Sequence, residues 1–576
     1  MENIIKELDI IKKGTRIVAS CVDYNHEGQG VCKISGVKDG EEVTNFPVFV
    51  NNMLLEEKGQ LEITKVSKTY AYANIVKIYN DTKSTSRVRP NCPNYDKCGG
   101  CNIMHMDYSS QLQFKTKMVK DTLRKLGSLD NVEVLPTIGM KNPDKYRNKV
   151  QVPFRKTFYK TICGFFAKDS HNVVPLTDCM IQPDISTSII HFVRNLCNEF
   201  KIDGYVEETN CGLIRHLLVR TNHDLSEIMI VFVLTKKDLP YKEEIISKII
   251  KRYPNVTSII INVNDKAGNT ILGKECHTIF GNDYINDTLC ELEFRIGPKS
   301  FYQVNHEQTE KLYRKAIEYA ELKDTDILID AYCGIGTIGL IASKYVKEVY
   351  GVEIVDEAIK NAKVNAKANK IKNANFVCNK AEDQIIKWRN DGVNANVIVV
   401  DPPRKGCDIK LLNTIEEMDI EKVVYVSCDP ATLARDLKIL CEKGYYVKTV
   451  QPVDMFPFTS NVETVVLLSH KSNNSKVNVN LNFDNEKGKK LIKKVVEDVD
   501  SRKEPEWASY PEIKEYILNK YNVKVTSLYI AQTKAKYGII EIECYNKPKS
   551  DNSRQPKCIK EKEEMIVDVF KHFKMI

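Results

Sequence analysis

The stretch "DILIDAYCGIGTIGLIASKYV", residues 326–346, joins an apolar strand pattern, a glycine-bearing loop and an apolar helix pattern. Asp330 stands at the expected strand end, and Gly334, Gly336 and Gly339 follow before the helix. Glycines let a ligand approach the backbone, and a helix N-terminus offers unpaired N–H groups. The stretch therefore predicts one strand–loop–helix unit of a doubly wound α/β domain, with a ligand site at its loop.

Similar units follow along residues 296–470. The run "VYGVE" ends at Glu353. The run "NVIVV" is followed by Asp401 and two prolines, which cannot continue a central strand. "KVVYVSCDP" brings Cys428 to a strand tip in the same way. Near-continuous Val and Ile runs are typical of parallel sheets covered on both faces, so we expect a doubly wound, Rossmann-like sheet here. Its active-site residues should lie at the carboxyl ends of the strands.

The rest of the chain predicts a multidomain protein, because 576 residues are too many for one core. In residues 1–80 short apolar runs alternate with glycine-bearing turns, which is typical of a small β-barrel or sandwich. Residues 81–295 mix strand and helix patterns and predict an α+β domain. Residues 471–576 begin with a polar stretch and continue as helix, strand, helix and strand, which predicts a small α/β extension without catalytic groups.

Composition is that of an ordinary soluble protein, with 42% hydrophobic and 28% charged residues. The first residues lack the apolar core of a signal peptide, and no run reaches the ~18 apolar residues of a membrane span. We therefore expect a cytoplasmic protein with no membrane partner, whose 18 cysteines are mostly reduced. The net charge of +8 permits nucleic-acid binding but fits a solvated surface nearly as well.

"CPNYDKCGGC", residues 92–101, is the tightest group of cysteines. Cys92, Cys98 and Cys101 supply three thiolates, and a tetrahedral ion or a cubane cluster needs a fourth ligand. The spacing predicts a metal site but does not separate zinc from iron–sulfur. Four downstream cysteines are candidates for the fourth ligand: Cys163, Cys179, Cys197 and Cys211.

The glycine loop alone also fits nicotinamide enzymes, although the missing "GKS" or "GKT" excludes a phosphate-binding Walker loop. Two acids on later strands narrow the choice. Glu353 suits hydrogen bonding to ribose hydroxyls, and Asp401 is exposed by its proline turn at the same edge. This combination resembles S-adenosylmethionine-dependent methyltransferases.

Five motifs in order make the resemblance specific: "SFYQVN" (300–305), "DAYCGIGT" (330–337), "DPPRKG" (401–406), "SCDPATLARD" (427–436) and "DMFPFTSNVETVVLL" (454–468). The chain is similar to RNA uracil-5-methyltransferases, and residues 1–470 resemble the bacterial 23S ribosomal RNA branch. The resemblance implies methylation of carbon 5 of a flipped-out uridine in 23S ribosomal RNA by a monomeric enzyme. A transfer-RNA uracil-5-methyltransferase with the same catalytic groups is the alternative.

In that branch an OB-like TRAM barrel stands at the N-terminus and four cysteines hold a [4Fe-4S] cluster. Cys92, Cys98 and Cys101 match the first three ligands, and Cys179, in "PLTDCMIQP", matches the fourth. Close transfer-RNA relatives generally lack both features. The resemblance therefore favours ribosomal RNA.

The resemblance also implies roles for six residues: Gln303, Tyr332, Glu353 and Asp401 line the S-adenosylmethionine site, Cys428 is the nucleophile and Glu463 is the base. Family members often carry histidines in the segment before the glutamate, where this chain has Phe458 and Asn461. No histidine is then available for that role, but Glu463 remains.

Two other functions compete with this interpretation. An RNA-binding iron–sulfur protein with a degenerate methyltransferase domain would not need Cys428, Glu463 and Asp401, all of which this chain retains. Enzymes that methylate exocyclic nitrogens typically carry an aromatic residue right after the Pro-Pro pair, where Arg404 stands. Taken alone, Cys428 would be a buried core thiol and Glu463 a surface glutamate.

Overall fold

The computed structural model describes residues 9–470, 510–521, 523, 525, 527–537 and 560–573. The chain divides into two compact units, Met1–Ser475 and Lys476–Ile576, and each is described by itself. None of the helices within the described ranges is both long and apolar enough to cross a membrane.

The N-terminal strands form a small closed barrel. Its strands are β1 (Asp9–Ile10), β2 (Arg16–Tyr24), β3 (Gly30–Lys38), β4 (Glu41–Val50), β5 (Lys58–Val66) and β6 (Ala71–Ile78). The order is β1-β3-β2-β5-β6-β4, and β3 also pairs with β4, so that β2 to β6 close into a ring. Alternate residues of β2 are buried, as expected for a strand with one face in a core. The five-stranded barrel confirms the β-barrel prediction for this region.

A second sheet follows helix α1 (Tyr108–Gly127). Its elements are β7 (Lys149–Lys156), β8 (Thr161–Phe166), β9 (Val173–Pro175), α2 (Asp184–Glu199), β10 (Ile214–Thr221), β11 (Ile228–Leu234), α3 (Lys242–Arg252), β12 (Val256–Val263) and β13 (Glu275–Gly281). The strand order is β13-β12-β11-β10-β7-β8-β9. Along β10, Leu217 packs in the core shared with α2 and α3, whereas Leu218 packs in the core of the C-terminal sheet. Both faces of this sheet are therefore covered.

The third sheet follows the hairpin β14 (Ile285–Leu289) and β15 (Leu292–Ile296). Its elements are α4 (His306–Ala320), β16 (Ile327–Ala331), α5 (Thr337–Ala342), β17 (Glu348–Glu353), α6 (Asp356–Ala368), β18 (Ala374–Cys378), α7 (Ala381–Asn390), β19 (Val397–Val400), α8 (Ile409–Glu417), β20 (Lys422–Ser427), α9 (Pro430–Glu442), β21 (Tyr445–Val453) and β22 (Glu463–His470). All four residues of β19 are buried, alternately in two different cores, which explains its unbroken Val/Ile sequence.

The strand order of this sheet is β18-β17-β16-β19-β20-β22-β21. All neighbours are parallel except β22, which runs antiparallel to both β20 and β21. The order reverses at β16, and ligands of such sheets bind at this switch point, beyond the carboxyl ends of the strands. The doubly wound sheet confirms the Rossmann-like prediction.

The C-terminal unit contains three described helices: α10 (Tyr510–Tyr521), α11 (Ser527–Lys536) and α12 (Lys560–His572). Ile513, Ile517, Ile530 and Phe570 form its buried core. The sequence predicted two strands in this unit, one between its first two helices and one after the second. These stretches lie wholly or mostly outside the described residues, so the predicted α/β extension is described only in its helical part.

Candidate active site

The loop after β16 is fixed by Asp330. This carboxylate is buried and accepts a hydrogen bond from the backbone N–H of Gly339 at 2.7 Å. A side chain at position 339 would place its Cβ 2.8 Å from Asp330 Oδ2, so only glycine allows this approach. Burial raises the pKa of Asp330 to about 7. Asp330, which the sequence analysis placed at the strand end, therefore fixes the glycine loop through this buried hydrogen bond.

Glu353 closes the neighbouring strand and reaches the same loop. Its Oε2 accepts from the backbone N–H of Gly334 at 3.3 Å, and its Oε1 accepts from Val355 N–H at 3.0 Å. The side chain is half-buried. A carboxylate beside the glycine loop in this position suits binding of hydroxyl groups.

Tyr332 and Asp401 line one small cavity of about 30 Å³ at the switch point, together with Phe301, Tyr302 and Gly334. Tyr332 adopts the left-handed conformation with φ 65°, which is costly for a bulky residue and is common at ligand sites. Gln303 does not line this cavity. Its side chain is buried and its carbonyl accepts from Asn148 Nδ2 at 3.1 Å.

Asp401 directly follows β19, the strand beside β16. Its backbone N–H donates to the carbonyl of Ala331 at 3.4 Å, which holds the proline turn against the neighbouring strand end. Burial raises the pKa of Asp401 to about 7. The carboxyl is therefore easily protonated, and a nearby cation or hydrogen-bond donor would stabilise its ionised form.

Cys428 and Glu463 lie side by side, because β22 inserts between β20 and β21. Ser427 pairs with Thr464 in the antiparallel ladder, so the next residues along that register are Cys428 and Glu463. Residues opposite each other in such a ladder have Cα atoms ~4.5–5.5 Å apart. Asp429 and Pro430 then start α9, with the Asp429 carboxylate accepting from Ala431 N–H at 2.9 Å. The end of β20 is thus fixed immediately after the thiol.

The charges around Cys428 disfavour its thiolate in the protein alone. The pKa of the half-buried thiol is raised to about 11, first by burial and then by the carboxyls of Glu463 and Asp401, whereas Arg404 lowers it. Burial and Asp401 also raise the pKa of Glu463 well above its ordinary value. Glu463 is 3% exposed, and its Oε2 has no hydrogen-bond partner among the described residues. An unpaired buried acid of this kind is typical of a functional site.

Tyr313 of α4 completes the group, and sequence reasoning missed it. The residue is buried, and its hydroxyl oxygen accepts from Thr337 Oγ1 at 3.3 Å. Its pKa is raised by burial first and then by the charge of Asp401, with smaller contributions from Asp330 and Glu463. Tyr313 belongs to none of the five motifs.

Helix α1 contacts the segment between β21 and β22, which leads into Glu463. The buried Lys115 ammonium pairs with Asp454 and donates to the carbonyl of Phe456 at 3.1 Å. The Tyr108 hydroxyl donates to Asp454 at 2.8 Å. This buried network fixes where the segment leaves β21. The helix itself ends at Gly127, and Ser128 follows it in the left-handed conformation with φ 56°.

The other side of the segment touches the cysteine-rich region and the barrel. Asn102 Oδ1 accepts from Ser460 N–H at 2.9 Å, and the Phe458 carbonyl accepts from the N–H groups of Asn102 and Ile103 at 3.1 Å. Asn102 Nδ2 also donates to the Glu27 carbonyl of the barrel at 2.7 Å. A Cβ at Gly28 would lie 2.4 Å from Ile103 Cγ2, so the barrel turn packs directly on this junction.

Cys92, Cys98, Cys101 and Cys179 line one cavity of about 340 Å³, beside Met104, Phe165 and Arg147. The other three candidates do not line it: Cys163 and Cys197 are buried in a core, and Cys211 is exposed. Among the described residues no three of the four sulfur atoms lie within 4.8 Å of one another. The structure therefore brings the four predicted cysteines to one cavity and leaves the other three candidates out of it.

Comparisons with known proteins show which family this chain belongs to. A family model described as tRNA (Uracil-5-)-methyltransferase matches residues 107–471. An uncharacterized RNA methyltransferase of Bacillus cereus is 46% identical over 447 residues, covering 78% of this chain and 95% of that protein. Another, from Clostridium tetani, is 45% identical over 466 residues, covering 81% and 99%.

Among solved structures, the Pyrococcus abyssi tRNA (uracil-54, C5)-methyltransferase in complex with S-adenosyl-L-homocysteine is similar in fold. The TM-score is 0.60 at 24% identity, covering 78% of this chain and 99% of that chain. The resemblance to RNA uracil-5-methyltransferases is therefore confirmed. The chain is an RNA methyltransferase and belongs to the tRNA (uracil-5-)-methyltransferase family.

Proposed function

We propose that this enzyme methylates carbon 5 of a uridine in 23S ribosomal RNA through a covalent intermediate on Cys428. The observation that carries the mechanism is the register of β20 and β22, which sets a thiol and an unpaired buried acid side by side. Asp401 stands at the end of the next strand and lines the neighbouring cavity. A nucleophile, a base and a ligand pocket then share one sheet edge.

Cys428 supplies the step that uracil needs first. Carbon 5 of the ring is a poor nucleophile, and addition of a thiolate to carbon 6 makes it electron-rich. The thiol is half-buried at a strand tip, so a flipped-out base can reach it. Arg404 favours the thiolate against the two carboxyls, and protonation of either carboxyl strengthens this effect.

Glu463 removes the proton from carbon 5 after methylation, so that the Cys428 thiolate is eliminated and the ring is restored. Its Oε2 has no partner among the described residues and is free to accept this proton. Burial raises its pKa, which makes the carboxylate a stronger base than an exposed glutamate.

S-adenosylmethionine supplies the methyl group on a sulfonium cation when it is bound at the switch point. We assign Tyr332, Glu353, Asp401 and Gln303 to this site. Tyr332 and Asp401 line the cavity, Glu353 fits ribose hydroxyls, and a cation would restore the charge of Asp401. The assignment of Gln303 rests on the resemblance and on its place directly after cavity-lining Phe301 and Tyr302.

We also assign a [4Fe-4S] cluster to Cys92, Cys98, Cys101 and Cys179. These thiols line one cavity and match the four ligands of the cluster in the branch that the chain resembles. Iron and acid-labile sulfide in protein purified without air would support the assignment. Stoichiometric zinc without iron would contradict it.

The choice of 23S ribosomal RNA is supported by the N-terminal barrel, which we assign as a TRAM domain, and by the four-cysteine cavity. One observation favours transfer RNA as a second candidate. The solved structure of similar fold is described as a tRNA (uracil-54, C5)-methyltransferase, and the matching family model is described as tRNA (Uracil-5-)-methyltransferase.

Separate RNA pools test the proposal. The protein is incubated with labelled S-adenosylmethionine and either ribosomal or transfer RNA that lacks 5-methyluridine, with Cys428→Ala as the inactive control. We expect label in 23S ribosomal RNA, converted to 5-methyluridine. Label in transfer RNA alone would establish the second candidate instead.

A 5-fluorouridine substrate tests the chemistry independently of the RNA class. Fluorine at carbon 5 cannot be removed as a proton, so the adduct on Cys428 should persist as a denaturation-resistant protein–RNA complex. Absence of such a complex with an RNA that the enzyme methylates would overturn the covalent mechanism.

A further inference from the structure

A group of three ligand-type side chains lies outside the site described above. His223 follows β10, Asp287 is the central residue of β14, and His306 is the first residue of α4. The potential ligand atoms of these residues all lie within 4.8 Å of one another. His223 Nδ1 is 2.7 Å from Asp287 Oδ1, and His306 Nδ1 is 3.7 Å from Asp287 Oδ2.

Three polar atoms around this point are buried without a hydrogen-bond partner among the described residues: Asp287 Oδ2, His306 Nδ1 and the Tyr302 hydroxyl. The separation of 3.7 Å is too long for a hydrogen bond. Asp287 is 3% exposed and Tyr302 is 5% exposed, so bulk water does not satisfy them. Buried polar groups are rarely left unpaired, and a cluster of them indicates a bound ion or water.

The donor set favours a metal ion over water. Two imidazole nitrogens and one carboxylate are the ligands of open zinc and related transition-metal sites. Tetrahedral metal–ligand bonds of ~2.0–2.2 Å would place neighbouring ligand atoms about 3.3–3.6 Å apart. The 3.7 Å between His306 Nδ1 and Asp287 Oδ2 is close to this value, whereas the 2.7 Å hydrogen bond between His223 Nδ1 and Asp287 Oδ1 would open when the ion binds. Calcium and magnesium prefer oxygen ligands, so two histidines argue against them. The half-exposed His223 side chain provides a path from solvent.

We propose that His223, Asp287 and His306 bind one divalent transition-metal ion of the zinc class. The Tyr302 hydroxyl is the third buried polar atom here that has no hydrogen-bond partner among the described residues. The ion joins three segments that are distant in sequence: the turn after β10, the β14–β15 hairpin and the start of α4. Because the imidazole rings stack with centroids 4.5 Å apart, one ring rotates modestly to direct its nitrogen lone pair at the ion.

The position of the site indicates its role. Tyr302 also lines the cavity that contains Asp330 and Asp401, so the ion stands directly behind the cofactor pocket. The buried Arg220 donates to the Ser300 carbonyl at 2.9 Å and already fixes the segment before Tyr302. The ion fixes the other end of this segment at His306. Its function is to hold the pocket wall, without contact to the reacting atoms.

Metal binding to the full-length protein tests the site. Protein stripped with a chelator is titrated with Zn²⁺ alone, and the bound equivalents are compared between wild type, His223→Ala, His306→Ala and the double variant. We expect one fewer tight equivalent in the double variant and roughly 10- to 100-fold weaker binding in each single variant. His277→Ala is the matched control, since His277 also contacts a carboxylate, Glu275 at 3.4 Å, outside the cluster.

Cobalt substitution separates this site from the cysteine cavity. Co²⁺ bound by nitrogen and oxygen shows visible bands without the intense charge-transfer absorption of thiolate ligands. We expect the bands without charge transfer to disappear in His223→Ala, which replaces a half-exposed side chain and should fold. Equal Zn²⁺ stoichiometry and unchanged cobalt spectra in wild type and the double variant would overturn the proposal and leave a buried water in its place.

Discussion

Cys428 and the cysteines of the cavity differ in what surrounds an otherwise similar thiol. Burial is the first cause of a raised pKa both at Cys428 and at Cys101. At Cys428 the next causes are the carboxyls of Glu463 and Asp401, opposed by Arg404, whereas at Cys101 they are the neighbouring thiols. A nearby cation, or a proton on one of the carboxyls, would therefore lower the pKa of Cys428 and favour its thiolate. At the cavity cysteines, only a positively charged centre would favour several thiolates together. Charge partners, rather than burial, separate a proposed nucleophile from proposed ligands.

Replacing the thiol at the sheet edge tests this comparison most strongly. Cys428→Ala should lower kcat at least ~10³-fold, because it removes the proposed nucleophile. Steady-state transfer of labelled methyl groups measures the loss. Cys378→Ser, at an exposed thiol of the same sheet, should retain full activity. Methylation by the Cys428→Ala protein would remove Cys428 from the mechanism.

Removal of the neighbouring acid should separate addition from elimination. Glu463→Gln keeps the shape of the side chain but cannot take the proton, so kcat should fall about 10²- to 10⁴-fold. Methylated RNA should then remain attached to the protein, visible as labelled protein on a denaturing gel. Glu421→Gln, at an exposed acid before β20, should show no adduct. Loss of activity without any adduct would argue that Glu463 acts before methyl transfer.

The link between the two regions should have a smaller effect. Asn102→Ala removes the side-chain contacts to Ser460 and Glu27 and loosens the segment before Glu463. Loss of such contacts typically costs about 1–2 kcal/mol of interaction free energy. If the activation barrier rises by this amount, kcat falls roughly 5- to 30-fold. Iron content should stay unchanged, and Asn195→Ala on the exposed face of α2 is the control. Unchanged kcat would show that α1 alone positions the segment.

The smallest expected effect concerns thiol reactivity. Only the thiolate reacts with iodoacetamide, so below the raised pKa of about 11 the rate at Cys428 rises with pH. Asp401→Asn removes a cause that raises this pKa and should speed alkylation, whereas Arg404→Gln should slow it, each by less than about tenfold. Mass spectrometry of the Cys428 peptide measures both rates, with exposed Cys378 as the internal reference. Changes of the same sign in both variants would contradict the charge balance described here.

Local patterns in the sequence predicted most of the sheets. Neighbouring residues alone determine three features: the glycine loop, the proline turn at Asp401 and the strand tip at Cys428. In the structure all three lie at one edge of the sheet. The β3 strand was missed, because "GVCKISGVK" contains two glycines and a serine and only becomes a strand by pairing with both β2 and β4.

Long-range pairing explains what the sequence could not provide. The approach of Glu463 to Cys428 depends on β22 inserting between β20 and β21, a choice made by the whole sheet. Tyr313 and the His223–Asp287–His306 group come from elements that meet only in the folded chain. No short spacing in the sequence marks them.

Gly28 limits how this barrel can be exchanged between proteins. The turn that carries it rests on Ile103, next to the asparagine that holds the segment before Glu463. A chimera with a foreign barrel and any side chain at this position would push on Ile103, and the displacement would reach the proposed base. Engineering of RNA specificity by domain grafting therefore has to keep this glycine, even though it touches neither RNA nor cofactor in the proposed mechanism.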